Sequence, residues 1–305
     1  MTAHPTRSAE TFVSAGVRCA AWVYRPSAPF PKNAPVIVMA HGFGCVRALR
    51  LPSYAEHFAA AGYVVVVFDY RNFGDSDGRP RQLLDIAGQL ADWRAAIGWA
   101  RTLGGVDPER VVGWGTSLSG GHVITLAGTG TPLTAIIAQV PHVSGFAAIR
   151  ATGIRHAVRL LPAAFEDTCR GLARRDPRYV DSVGEPGTLS VMATPDVMPS
   201  LQAMAAADGL SLNDIPVTVA ARIVLRIGLY SPIRHAGTLT CPALIQVVDD
   251  DAITSTSAAR RAVARMRHAT LKTYVGRHFD VYVAPLFDDV VADQLAFLKS
   301  VVPSG

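Results

Sequence analysis

What most restricts the fold of this chain is an alternation of short apolar runs with stretches of helical period. VRCAAWVYRP (17–26), VIVMAHG (36–42), VVVVFDY (64–70), RVVGWGT (110–116), TAIIAQV (134–140), ALIQVV (243–248) and TLKTYV (270–275) have the length and side-chain types of strands. Several are too apolar to leave one face in water, so both faces must be covered. Between them SYAEHFAAAGY (53–63), LLDIAGQLADWRAAIGWARTLG (83–104), SGGHVITLAG (119–128), STSAARRAVARMR (255–267) and FDDVVADQLAFLKSVV (287–302) place apolar residues at helical spacing. That order predicts an α/β fold, a mostly parallel central sheet with helices on both faces. TFVSAG, ending at Gly16, is expected to pair with the next run as an N-terminal hairpin.

One interval breaks the rhythm. About a hundred residues separate the run ending near Val140 from the one starting at Ala243, far more than a usual crossover. FAAIRATGIRHAVRLL (146–161), FEDTCRGLARR, SLQAMAAADGL and VTVAARIVLRIGLY read as helical, with Gly- and Pro-rich loops such as DPRYVDSVGEPGT between them. The expectation is a core formed by residues 1–141 and 236–305, with a helical cap or lid inserted over residues 142–235. Its apolar residues, among them Ile149, Ile154, Val158, Leu160 and Ile227, exceed what a solvated excursion needs; they either pack the insertion onto the sheet or line a site.

Half the residues are apolar and 17% are charged, a globular composition. The net charge of +5 comes almost wholly from arginines, lysines standing only at 32, 272 and 299. These arginines are scattered, without the clustered basic face that nucleic acid requires, so no nucleic-acid partner is expected. No run of about eighteen apolar residues occurs, so no membrane span is expected either. The N-terminus MTAHPTRSAETF lacks a signal peptide's apolar region. Cysteines at 19, 45, 169 and 241 follow no metal-binding or redox spacing and read as reduced, mostly buried thiols. A cytoplasmic location is the expectation, and the oligomeric state is open, a homodimer included.

GWGTSLSGG (113–121) sets four glycines around two serines directly after Val111 and Val112. A dinucleotide fingerprint fails on spacing, because Leu118 stands where the third glycine of G-x-G-x-x-G belongs, and no G-K-[ST] succeeds it for a phosphate loop. The alternative is a strand that turns sharply into a helix with Ser117 at its apex. Such a turn strains the apex residue and brings the positions two before and two after it close together, so both must be small. Gly115 and Ser119 meet that demand. Ser119, with Gly121 two places on, is the rival nucleophile, but it would sit too far into the helix.

With these residues the chain resembles the α/β-hydrolase fold family, in its serine-esterase, dienelactone-hydrolase-like and peptidase-like branch, over nearly its whole length. The resemblance rests on four stretches: AHGFGC (40–45) after VIVM, where the family has its oxyanion loop; Ser117 in its turn; VVDDDAIT (247–254); and GRHFDVY (276–282). DYRNFGDSDGRP (69–80) also looks like a recurring stretch of such members. The pattern departs from G-x-S-x-G at its last position, where Ser119 replaces glycine.

The resemblance implies a nucleophile, acid and histidine in chain order. A serine hydroxyl is a poor nucleophile at neutral pH and needs a base, which in turn needs an orienting acid. His278, after the last strand and a glycine, is the expected base; His41 and His122 are rivals, His41 more naturally ordering the oxyanion loop and His122 lying in the helix after the turn. His142 and His235 flank the insertion, where surface positions are expected and substrate contact is the alternative. Asp251 is the expected acid from the family's D-x-I, with Asp250 in reserve; metal binding by Asp249, Asp250 and Asp251 lacks further ligands. The N–H groups of Phe43 and Leu118 are the expected oxyanion hole, and Cys45 is read as packing. The resemblance thus implies a serine hydrolase cleaving a small-molecule carboxylic ester through an acyl-enzyme, without metal or organic cofactor. A thioesterase is the alternative, then a peptidase or carbon–carbon hydrolase, then a non-catalytic ligand receptor on the same fold.

Overall fold

A computed structural model describes residues 5–27 and 33–304; the first four residues of the polar N-terminal stretch lie outside it. Eight strands form the central sheet: β1 (Thr6–Ser14), β2 (Val17–Arg25), β3 (Ala34–Ala40), β4 (Val64–Phe68), β5 (Val106–Thr116), β6 (Ala135–Gln139), β10 (Ala243–Asp250) and β11 (Ala269–Arg277). Their spatial order is β1-β2-β4-β3-β5-β6-β10-β11. From β4 to β11 every neighbouring pair is parallel, whereas β1 with β2 and β2 with β4 are antiparallel. The expected N-terminal hairpin is therefore present, and its first strand begins earlier than the apolar residues announce, because an edge strand tolerates the polar run from Thr6 to Glu10.

The apolar runs bury both faces of the sheet by alternation. In β3, Val36, Val38 and Ala40 enter one core while Ile37 and Met39 enter the other. In β4, Val64, Val66 and Phe68 divide in the same way from Val65 and Val67. Helices α2 (Ile86–Ala100), α3 (Leu118–Gly128) and α8 (Thr256–Val263) close the first core. Helices α1 (Leu51–Ala60) and α9 (Leu286–Val301) close the second.

The interval between β6 and β10 is not wholly helical. It holds α4 (Gly145–Thr152), α5 (Ile154–Leu172), α6 (Val197–Ala207) and the single turn α7 (Val224–Ile227), together with a small sheet of β7 (Tyr179–Val183), β8 (Ser190–Met192) and β9 (Thr218–Ala220). Several expectations are corrected here. The stretch 146–161 is broken at Gly153, whose φ of 100 lies outside the helical region and redirects the chain between α4 and α5. DPRYVDSVGEPGT, read as loop, contains β7, because Val180 and Ser182 alternate inward against β9. The helical reading of VTVAARIVLRIGLY fails at its start, where the β-branched run at Val217–Val219 supplies β9.

Candidate active site

Strand β5 passes into α3 through Ser117, whose φ of 54 and ψ of −119 belong neither to strand nor to right-handed helix. The sharpness of this turn explains the glycine before it: a Cβ at Gly115 would run into the backbone carbonyl of Ser119. The turn is tied down from β6, since Ser117 N–H donates to the Gln139 carbonyl at 2.9 Å and His142 N–H to the Ser117 carbonyl at 2.9 Å.

Ser117 Oγ lies 3.2 Å from His278 Nε2, and His278 Nδ1 lies 2.8 Å from Asp251 Oδ2. A carboxylate accepting from Nδ1–H leaves the lone pair on Nε2, facing the serine hydroxyl. Asp251 is held by the turn that succeeds β10: its Oδ1 accepts from the N–H groups of Ile253 (2.9 Å) and Thr254 (2.7 Å), and its Oδ2 from the Thr254 hydroxyl (2.8 Å). Burial opposes its charge, but His278 beside it and the Thr254 donors outweigh that and keep the carboxyl below the usual carboxylate range.

The neighbouring aspartates point elsewhere. Asp250 is exposed, 3.8 Å from Arg277 Nε, and Asp249 accepts from the Gly276 N–H at 3.0 Å. The three carboxylates thus diverge, and among the described residues no group of His, Cys, Asp and Glu is arranged to hold a metal ion. Ser119 is fully buried, its hydroxyl 2.8 Å from that of Tyr70, which also accepts from Trp93 Nε1. It therefore braces the helix against the core and does not meet His278.

Leu118 is the first residue of α3, so its N–H has no intrahelical acceptor. Phe43 lies in the loop after β3, beside Ser117 in the same cavity wall. That loop is braced from DYRNFGDSDGRP: Arg47 N–H donates to Asp69 Oδ1 at 2.7 Å, and the Arg47 guanidinium pairs with Asp69 and with Asp75. Arg47 is not legible in the sequence, since nothing local marks one arginine as an internal brace. His41 is buried, with Nδ1 3.0 Å from the Gly42 carbonyl. His122 lies in α3 between Tyr230 and Gln89, and burial pushes its pKa down to about 3. His235 is half-buried. His142 is not at the surface: it is buried and stacked on Tyr230, ring centroids 6.0 Å apart. All four cysteines are free thiols; Cys169 is exposed, and burial pushes Cys45 up to about 12.

Ser117 stands where two apolar cavities meet, with Phe43 and Met192 shared between their walls. One lies on the His278 side and includes Cys45, Leu201, Met204, Ile215 and Tyr282. The other lies under α4 and α5 and includes Leu118, His142, Ile149, Leu160 and Ile227. Met192 carries no signal in the sequence, because its place depends on β8, whose three residues are too few to show a period.

The sequence pattern of the family described as X-Pro dipeptidyl-peptidase (S15 family) matches residues 15–183. The quorum-quenching protein AidA of Acinetobacter baumannii (strain MDR-ZJ06) is 40% identical over 292 residues, 96% of this chain and 94% of that one. The thiohydrolase aneE of Aspergillus aculeatus is 43% identical over 79 residues, 26% of this chain and 25% of its own. Among solved structures, the alpha/beta hydrolase GrgF from Penicillium sp. sh18 superposes with a TM-score of 0.79 at 21% identity, covering 97% of this chain and 99% of that one.

Proposed function

From the premise that the chain belongs to the α/β-hydrolase family, through its S15 group, we propose a serine hydrolase that cleaves a carboxylic ester by way of an acyl-enzyme on Ser117. The observation that carries this reading is the hydrogen-bonded line from Ser117 through His278 to Asp251, at the meeting point of two apolar cavities. His278 takes the Ser117 proton as Oγ attacks the ester carbonyl, and Asp251 stabilises the imidazolium that forms. The Phe43 and Leu118 N–H groups receive the oxyanion, each contributing about 3–4 kcal/mol to the transition state. His278 then protonates the leaving oxygen, so the leaving group occupies the cavity that His278 lines and the acyl group the one under α4 and α5. Water, activated by the same histidine, hydrolyses the acyl-enzyme.

A thioester substrate is the second reading, favoured by the local likeness to a thiohydrolase. The quorum-quenching role in the name of the Acinetobacter relative is a physiological setting to examine. The deciding experiment is a panel of p-nitrophenyl esters, acyl thioesters and X-Pro p-nitroanilides, run on wild type and Ser117→Ala. Ester turnover that Ser117→Ala removes supports the proposal. Turnover confined to thioesters or to X-Pro anilides moves the assignment to those bonds, and no turnover in any arm leaves the receptor reading.

A further inference from the structure

Helix α5 distributes its side chains in an unusual way. A surface helix ordinarily lays its apolar face on the core and its polar face in water, yet the residues that α5 buries are Leu160, Ala164 and Asp167, one of them a carboxylate. Ile154, Val158, Leu161, Phe165 and Leu172, separated by four, three, four and seven positions, form a second apolar stripe along one face. Leu161 is half-buried, but Ile154 is 57% exposed, Val158 54%, Phe165 59% and Leu172 83%. A contiguous apolar stripe left in water marks a surface that docks on something.

The two borders of the stripe indicate what covers it. On one side it opens into the acyl cavity, because Ile154 and Val158 line that cavity while remaining more than half exposed. Helix α4, the other wall of the cavity, exposes Phe146, with the Arg150 guanidinium over its ring at 6.0 Å. On the other side, one helix position round, stand Arg155, Arg159 and Arg170. No Asp or Glu occurs from Pro141 to Phe165, and Glu166 is shared between Arg170 at 3.5 Å and Arg178 at 3.8 Å. The stripe is thus edged by positive charge that its own segment does not neutralise.

We infer that α5 is a docking surface for an anionic lipid bilayer. The stripe enters the boundary between head groups and acyl chains, the arginines lay their stems beside it and carry their charge to the lipid phosphates, and the mouth of the cavity faces the hydrocarbon. A second copy of the chain seated on the stripe would close the cavity mouth, whereas a bilayer leaves it open toward the kind of chain that its apolar walls receive. The docking rests on the stripe and its charged border alone; the entry of an acyl chain from the bilayer rests on the ester-hydrolase reading above.

The test is co-sedimentation of the full chain, without substrate, with sucrose-loaded vesicles of phosphatidylcholine alone or mixed equally with phosphatidylglycerol. The mixed vesicles are expected to bind the protein at least about fivefold more tightly, a preference that high salt removes. Arg155→Gln/Arg159→Gln should weaken binding to the mixed vesicles by about fivefold for each arginine removed, and Phe165→Ser/Leu172→Ser should weaken it by at least about tenfold. All four side chains are exposed, so an unchanged circular dichroism spectrum is expected of both variants. No sedimentation with either vesicle, equal affinity for both, or an affinity that either double variant keeps overturns the inference, the first two with wild type alone. So does a dimer in sedimentation velocity that Phe165→Ser/Leu172→Ser dissociates, because a second copy then covers the stripe. Lipid binding by a protein that turns over no ester would sink the ester-hydrolase reading and leave the docking surface standing. Ester turnover without lipid binding would do the reverse.

Discussion

At the scale of single residues, the geometry at Ser117 separates two serines that the sequence sets two positions apart. Ser117 occupies a strained backbone conformation, of a kind that costs about 1–3 kcal/mol and is kept where function requires it; Ser119 occupies an ordinary helical position with its hydroxyl spent on Tyr70. A fluorophosphonate is therefore expected to label Ser117, as read by peptide mass spectrometry, and Ser117→Ala should lose at least roughly a thousandfold in kcat with an unchanged circular dichroism spectrum. Label found on Ser119 would reverse the assignment. His278→Ala should lose about as much, and Asp251→Asn somewhat less, since the three act as a unit. Asp250→Asn, on an exposed carboxylate, should leave kcat within about twofold of wild type. The three residues that touch were legible because each comes after the end of a strand and has its own local signal: the glycine two before Ser117, the D-x-I at Asp251, the glycine two before His278. His142 carried no such signal. Its burial depends on Tyr230, far along the chain, and a histidine between a strand and an insertion reads as solvated until that ring is placed on it.

At the scale of elements, the strands of the main sheet were legible because burial on both faces writes itself as continuous β-branched sequence. The small sheet of β7, β8 and β9 was not, because strands of three to five residues with one covered face hold too few apolar positions to show a period. Leu160 of α5 shares a core cluster with Val180 and Val219 of that sheet, and a buried ion pair is added to this apolar contact. Asp167, fully buried in α5, accepts from the N–H groups of Arg178 and Arg222 at 2.8 Å each and from the Arg222 guanidinium at 2.7 Å and 2.9 Å. Burial opposes the charge, yet Arg222 and the two N–H groups prevail, and the pKa of Asp167 is lowered. A carboxylate with a depressed folded pKa stabilises fully above its unfolded value, about 3.9, and loses that contribution as pH falls through the folded value. Below about pH 4, therefore, amide hydrogen exchange in α5 and in Thr218–Ala220 should accelerate before that in β3 and β4. Asp167→Asn should show the faster exchange already at pH 7 and lose most of the acid dependence. Simultaneous loss of protection across the whole chain in wild type would show that this contact does not hold the cap-side elements by itself.

At the scale of the whole molecule, a parallel sheet brings the carboxyl ends of β3, β5, β10 and β11 to one edge, where the loops bearing Phe43, Ser117, Asp251 and His278 meet, and the interval between β6 and β10 covers that edge. Apolar side chains are plainly abundant in the sequence of the interval, but which of them face a cavity is not written there. Ile149, Ile154, Val158, Leu160, Leu161, Val224 and Ile227 line the space under α4 and α5, Met204 lines the other cavity, and Ile223 is spent in the core. With the acyl group in the first of these spaces, each added methylene is worth up to about 0.8 kcal/mol, close to fourfold in kcat/KM, until the cavity is full. A p-nitrophenyl ester series from acetyl upward should therefore rise and then break. Ile149→Trp, which fills the acyl cavity, should move the break to a shorter chain. Met204→Trp, in the opposite cavity, should leave the break in place while lowering kcat/KM for bulky alcohols. If Met204→Trp moves the break and Ile149→Trp does not, the two cavities have been assigned in reverse. A flat or declining response from acetyl to octanoyl would mean that neither cavity selects the acyl chain, and that the apolar residues of the interval only pack it onto the sheet.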